Sequence, residues 1–334
     1  MTTVKAAILG CEGSTLSSAE AAFFRAQNPW GFILFQRNCE EPDQVRALVG
    51  ALREAVGRAD APVLIDQEGG RVARLKPPHW RPTPAPGRFA QRFAQAPELA
   101  VEGAWLNARL IARDLHALGI TVDCAPVLDV LRPETHNVIG DRAYGRDPEV
   151  VAAFGRAVAD GLKAGGVHAV MKHIPGHGRA TVDSHFTCPR VAATMAELAD
   201  DFLPFQRLSD LPFAMTAHVI YDAIDTVRPA TLSPAVIERA IRGAIGFSGL
   251  LISDDLSMNA LGGRLGERAA QALAAGCDIA LHCNGRFAEM AEVMAAVGPL
   301  SDSAWQRIAA LPVLSAAAFD PAAAAARVEA LVAA

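Results

Sequence analysis

Residues 148–186 read PEVVAAFGRAVADGLKAGGVHAVMKHIPGHGRATVDSHF, and the fold is decided by how this stretch changes its period. Asp147 precedes Pro148, an N-cap side chain followed by a proline at the first helical position. Apolar residues then recur at helical spacing as far as Ala164, and Gly165–Gly166 stop the helix. Ala169–His173 follows as a continuous apolar run that ends in Lys172–His173. A strand apolar on both faces belongs in a parallel sheet covered by helices. Helix, glycine stop, buried strand and polar strand end form one unit, and the chain repeats it.

Seven further runs have the same character: Lys5–Gly10, Gly31–Phe35, Pro62–Asp66, Val122–Asp129, Phe213–His218, Leu250–Asp254 and Asp278–Cys283. Helical periodicity fills the segments Asp43–Val56, Leu99–Leu118, Ala192–Leu208, Pro234–Ile245, Leu265–Ala275 and Phe287–Val297. Ser233–Pro234 repeats the cap, and Gly119, Gly246 and Gly276 repeat the stop. The pattern predicts an α/β protein, a single TIM-type (β/α)8 barrel spanning 1–334 as one catalytic domain. An open doubly wound sheet is the alternative. Pro77–Pro86 reads as a long loop after the third strand. Residues 302–334 read as a helical tail in which Asp320–Pro321 opens an appended C-terminal helix packed on the barrel wall.

With 334 residues, 51% of them apolar, the chain builds a large core, and a net charge of −5 without a basic run argues against nucleic acid as a partner. Six cysteines without C-x-x-C spacing read as reduced thiols. The N-terminus lacks a signal-peptide pattern and no apolar stretch reaches the length of a membrane span, so a cytoplasmic protein without a membrane partner is expected.

In a barrel of this kind chemistry sits where strands end. Here the runs terminate in Asp66, Asp129, Lys172–His173, His218, Asp254–Asp255 and His282. Ionisable groups at buried strand ends are costly unless they face a polar pocket, so their convergence marks a site. Two segments are richest: 171–186, with His173, His177, Asp183 and His185, and 251–260, with Asp254 and Asp255. A retaining glycosidase needs a carboxylate to attack the anomeric carbon and a second group to protonate the leaving oxygen. Asp254 is the candidate for the first and His185 for the second, with Asp183 orienting the imidazole. Gly176 and Gly178 free the backbone beside this pair, so the loop Pro175–Phe186 is expected to swing His185 in when sugar binds.

The same residues have plainer readings. Adjacent residues of an extended segment point to opposite sides, so Asp255 is expected to cap a helix or form a salt bridge. His177, between glycines, shapes its loop. Asp129 and His218 are equally well hydrogen-bonded rim residues or supports of the site. Cys188 is an inert thiol, and His282 has no assigned role. A metal-dependent barrel hydrolase holding Zn²⁺ on His173, His177, Asp183 and His185 is the alternative from another class. The glycine-rich spacing, without H-E-x-x-H, disfavours it.

The segments KHIPGHGRATVDSH, ISDDLSM, IDQEGGRVARL, FILFQRN, VIGDRAYGRDP and MTAHVIY closely resemble glycoside hydrolase family 3, from about residue 5 to residue 284. They are most similar to its single-domain bacterial β-N-acetylglucosaminidase branch, which acts in peptidoglycan recycling. The resemblance implies Asp254 as nucleophile, His185 as acid/base and Asp183 as its partner. It implies sugar contacts for Asp66, Arg74, Arg142, Lys172 and His173, with Met258 near the subsite floor, a muropeptide or related carbohydrate as substrate, and no cofactor or metal. A β-glucosidase or broad β-hexosidase is the rival within the family. The Pro-rich stretch after the third strand, and His282 before Cys283–Asn284, depart from the family pattern.

Overall fold

Eight parallel strands form one sheet: β1 (Lys5–Leu9), β2 (Pro29–Leu34), β3 (Val63–Ile65), β4 (Val122–Asp123), β5 (His168–Ile174), β6 (Phe213–Thr216), β7 (Leu250–Ile252) and β8 (Ala280–His282). A computed structural model describes residues 3–333 of the chain. The strands lie in the order β8-β1-β2-β3-β4-β5-β6-β7. Ile252 bridges Ile279, and the Ser253 amide donates to the Ile279 carbonyl at 3.0 Å, so the two ends of the sheet meet. The predicted barrel is present, and the open-sheet alternative is not.

The strands are shorter than the apolar runs. Val122–Asp129 keeps Val122–Asp123 as a strand, with Val127 returning as a single bridge to Lys172, and Leu250–Asp254 leaves the sheet after Ile252. In both runs the carboxylate that ends the run, Asp129 or Asp254, lies beyond these strand residues. The ladder residues are buried on both faces, as in β2, where every position from Pro29 to Leu34 is buried. Fully burying one such side chain, Phe32 for example, stabilises by roughly 1.5–3 kcal/mol.

Helices cover the outside, and their starts follow the sequence signals. Pro42, Pro97 and Pro148 open helices Pro42–Val56, Pro97–Ala117 and Pro148–Ala164, and the Asp147 carboxylate accepts from the Glu149 amide at 2.9 Å. Two helices lie outside the sequence expectation, Ser18–Gln27 and Pro86–Phe93, while Asp302–Ala309 opens the expected helical tail. The expected helix Pro234–Ile245 makes a single α-turn and then winds as a π-helix over Ile237–Ala244. The C-terminal helix runs Pro321–Ala333 and lies against Pro97–Ala117, where Gly103 leaves room for Leu331. A separate two-stranded ribbon, Arg190–Val191 with Ile220–Tyr221, ties together the loops that follow β5 and β6. Among the described residues no helix is long and apolar enough to cross a membrane.

Candidate active site

At the ends of the strands lies a cleft of about 250 Å³, and every site residue expected from the sequence lines it except Asp183. That residue stands behind His185. The cleft therefore brings together Asp66 and Arg74 from beyond β3, Arg142 from the loop after β4, Lys172 and His173 from β5, His185 from the following loop, and Asp254 and Met258 from beyond β7.

Asp254 is held by its backbone. Its amide donates to Thr216 Oγ1 at 3.2 Å, and its Oδ1 accepts from the Asp255 amide at 2.8 Å. Burial pushes its carboxyl up, but the imidazoles of His218 and His173, the Asp255 amide and Lys172 outweigh burial and hold it below the usual carboxylate range. It is a half-buried anion without a bonded cation among the described residues.

Beside it lies a grid of ion pairs. Lys172 Nζ donates to Asp66 Oδ1 at 2.8 Å and lies 2.7 Å from Glu68 Oε1. Arg74 reaches the other oxygen of Asp66 at 3.0 Å, and Arg142 grips Glu68 with two bonds of 2.8 Å. Burial alone raises Glu68, yet Arg142 and Lys172 bring it down to about 2, and Asp66 is likewise lowered by Lys172 and Arg74 against the effect of burial. All five side chains are charged. Glu68 is the residue that the sequence reading missed. It sits two positions beyond Asp66, and period two at a strand end would have pointed it to the same side.

A second buried carboxylate, Asp129, organises the histidines. Its Oδ2 lies 2.7 Å from His173 Nδ1, and its Oδ1 accepts from the His177 amide at 2.7 Å. Since a carboxylate only accepts, His173 carries its proton on Nδ1 and turns Nε2 to the cleft. Burial raises Asp129, but the two histidines bring it down to about 2. Asp129 is thus a support of the site, which decides one of the open readings. His177 Nε2 meets Ser184 Oγ at 3.2 Å, shaping the loop as expected, and burial lowers its pKa to about 4.

Asp183 Oδ1 accepts both the His185 amide and His185 Nδ1, each at 2.8 Å, which leaves Nε2 as the nitrogen available for proton exchange. Burial acts to raise Asp183, but the bonds from His185 and the charge of His136 hold it below its ordinary value. The His185 carbonyl accepts from the Asn259 amide at 3.2 Å, which ties the loop tip to the segment that follows Asp254. The two loop glycines do more than loosen the backbone. A Cβ on Gly178 would lie 1.9 Å from the Val130 carbonyl oxygen, so this glycine is needed for close packing. Thr135 Oγ1 donates to the Gly178 carbonyl, and the His136 amide donates to that of Ala180, so the base of the loop is clamped and only its tip is lightly held.

Asp255 neither caps a helix nor forms a salt bridge. Its carboxylate accepts from the Ser257 amide at 3.0 Å, Ser257 Oγ at 2.6 Å and the Cys283 amide at 3.2 Å, closing a turn. His282 is fully buried outside the cleft, with Glu289 Oε2 at 3.7 Å. Burial raises the Cys188 thiol, as an inert thiol requires. Among the described residues no three His, Cys, Asp or Glu side chains are placed to hold a metal ion, because His173 is turned to Asp129 and His177 to Ser184.

The model of the glycosyl hydrolase family 3 N-terminal domain matches residues 4–311. The chain belongs to glycoside hydrolase family 3. Within this family it is 42% identical over 286 residues to a beta-hexosaminidase of Alkalilimnicola ehrlichii, covering 83% of this chain and 80% of that one. To a beta-hexosaminidase of Pseudomonas aeruginosa it is 40% identical over 283 residues, with 84% and 82% covered. Its fold superposes on NagZ from Neisseria gonorrhoeae, solved in complex with N-trifluoroacetyl-D-glucosamine, with a TM-score of 0.88 at 31% identity, covering 99% and 98% of the two chains. The family 3 chain described here is accordingly a glycoside hydrolase built on a barrel of the NagZ type.

Proposed function

We propose that this chain is a retaining exo-β-N-acetylglucosaminidase that acts through a glycosyl-enzyme ester on Asp254. One observation carries the reading. Of the four carboxylates that line the cleft, Asp66 and Glu68 are bonded to cations and Asp255 is spent on its turn, so Asp254 alone has an oxygen turned to the sugar without a competing bond. No carboxylate is left there for proton transfer, and that role falls to His185.

In the first step Asp254 attacks the anomeric carbon, the bond to the leaving oxygen breaks, and His185 Nε2 gives that oxygen its proton. In the second step water attacks the anomeric carbon, its proton passes to His185 Nε2, the bond from that carbon to the Asp254 oxygen breaks and Asp254 departs as carboxylate, so the β configuration is kept. Asp183 stabilises the imidazole in its cationic form, before the first step and after the second, and keeps the neutral ring's Nε2 free to take the proton of water between them. Asp66, Arg74, Arg142, Lys172 and His173 hold the sugar hydroxyls, and Met258 lies against the ring substituents. The hexosaminidase names of the relatives and the N-acylated sugar in the Neisseria complex support an N-acetylated substrate, and a muropeptide released in the cytoplasm is the leaving group we favour.

The test is the initial rate on 4-nitrophenyl N-acetyl-β-glucosaminide against the matching β-glucoside, followed by mass spectrometry with a fluorinated slow substrate. A preference for the N-acetylated substrate and an adduct on Asp254 are expected. An adduct-free enzyme inhibited by a thiazoline would show that the acetamido group itself attacks.

A further inference from the structure

Thr216, Thr231 and His218 are 0% exposed, and none of them lines the cleft. Buried hydroxyls and imidazoles are costly unless bonded, and these are bonded in series. The Asp254 amide donates to Thr216 Oγ1 at 3.2 Å, Thr216 Oγ1 lies 2.8 Å from Thr231 Oγ1, and Thr231 Oγ1 lies 2.7 Å from His218 Nδ1. His218 Nε2 then meets the Asp255 carbonyl at 3.0 Å. The series leaves the backbone at Asp254 and returns to it one residue later.

The direction of each bond follows from what each atom can do. A carbonyl only accepts, so His218 Nε2 carries a proton. Burial holds the ring's pKa below its ordinary value, which favours a neutral ring whose Nδ1 accepts from Thr231 Oγ1 at 2.7 Å, the shorter of that hydroxyl's two contacts to an acceptor, the other being the Ala217 carbonyl at 3.2 Å. With the Thr231 proton turned to His218, Thr231 Oγ1 accepts from the Thr216 hydroxyl, which itself accepts from the Asp254 amide. Thr231 Oγ1 is bonded to both Thr216 and His218, so its removal deprives His218 Nδ1 and the Thr216 hydroxyl of this partner at once.

We propose that Thr231 and His218 are positioning residues that clamp the Asp254–Asp255 backbone to β6 and so hold the Asp254 carboxylate at the anomeric carbon. The proposal rests on Asp254 as nucleophile. Asp254 sits at the point where the short strand β7 has left the ladder, so its own sheet bonds do not hold it. The series replaces them. It also sets the polarity around the carboxylate. The groups that face Asp254 are His218 beyond β6, Lys172 and His173 on β5, His177 in the loop that follows, Asp255 beside it and Cys283 beyond β8. His218 is the one among them whose proton placement Thr231 dictates.

Thr231→Val keeps the shape and deletes the hydroxyl. We expect kcat to fall about tenfold with KM changed by less than about twofold, because the substrate grip is untouched. The acid limb of the kcat/KM profile should rise by about one pH unit, because the Asp255 amide that donates to Asp254 Oδ1 is no longer held in place. Thr231→Ser should restore both. Wild-type kcat and an unmoved acid limb in folded Thr231→Val would overturn the clamp. Asp254→Asn separates the two ideas. If it stays active, the nucleophile assignment fails. If it is dead while Thr231→Val behaves as wild type, only the clamp fails. Should Thr231→Val not fold, ¹⁵N-histidine NMR on the wild-type enzyme decides, because the Nε2–H tautomer of His218 is required and the Nδ1–H tautomer refutes it.

Discussion

The two sides of the cleft are built on opposite principles. The sugar-holding side is a buried grid: the side chains of Lys172 and Glu68 are 2% and 1% exposed, and every charge there meets an opposite one. The proton-transfer side is open: the His185 side chain is 56% exposed, and Asp183 and the Asn259 amide are what tie it down. Buried pairs keep their geometry because losing a partner leaves an unpaired charge in low dielectric. An exposed pair is weakly held and readily moved. The lesson is a division of labour. Recognition is preorganised, while the acid/base waits in water on a loop tip that a bound sugar can draw in.

This contrast can be broken in four ways. Glu68→Ala leaves Arg142 as an unpaired buried cation and Lys172 with Asp66 alone, and a loss of about 3–5 kcal/mol is expected, seen as a fall of on the order of 10 °C in Tm together with lost activity. An unchanged Tm would mean the grid is not structural. His185→Ala should leave Tm within about 1 °C yet lower kcat/KM by about 10²–10³ on glycosides with poor leaving groups. Activated phenols should lose less, since they need less proton assistance. A variant that unfolds would contradict the independence of the two sides.

Asp183→Asn removes the anion that favours the charged imidazole. A fall of about tenfold in kcat and a downward move of the alkaline limb of the pH profile are expected. An alkaline limb that stays in place would deny the pair its role. The smallest effect belongs to Asp123, buried under the grid with its Oδ2 unpartnered. Burial, opposed by the Gln67 amide and Lys172, raises its pKa to about 7 from an ordinary 3.8. The folded state therefore binds this proton more tightly than the unfolded state does, and stability falls as pH rises between those two values. Asp123→Asn should gain a few degrees in Tm at mildly alkaline pH and nothing in mild acid. Equal gains at both would point to packing and not ionisation.

The barrel was legible because continuous apolar runs, proline starts and glycine stops all repeat at one rhythm, as in 148–173. The strand ends were legible because Lys172, His173 and Asp254 interrupt that apolarity where a core residue would not. Glu68 escaped because it lies past the end of its apolar run, beside Gly69–Gly70, where its period-two spacing from Asp66 was the one signal of direction. Thr216 and Thr231 escaped for a different reason. Threonine fits a buried strand or turn as an ordinary small residue, and only the closing of β6 beside β7 brings them to Asp254. The π-helix at Ile237–Ala244 likewise leaves no mark on periodicity that distinguishes it from an α-helix over so few residues.

Gly178 pressed against the Val130 carbonyl has a consequence for how this protein can change over generations. The loop that delivers the proton and the loop that carries Arg142 touch backbone to backbone, so neither can accept a bulkier residue or an insertion at that contact without a matching change in the other. The histidine and the arginine are far apart in sequence, but the segments that carry them should diversify as a linked pair, and a hydrolase with a new aglycone preference is more easily reached by altering the tip, 181–187, than the base on which it stands.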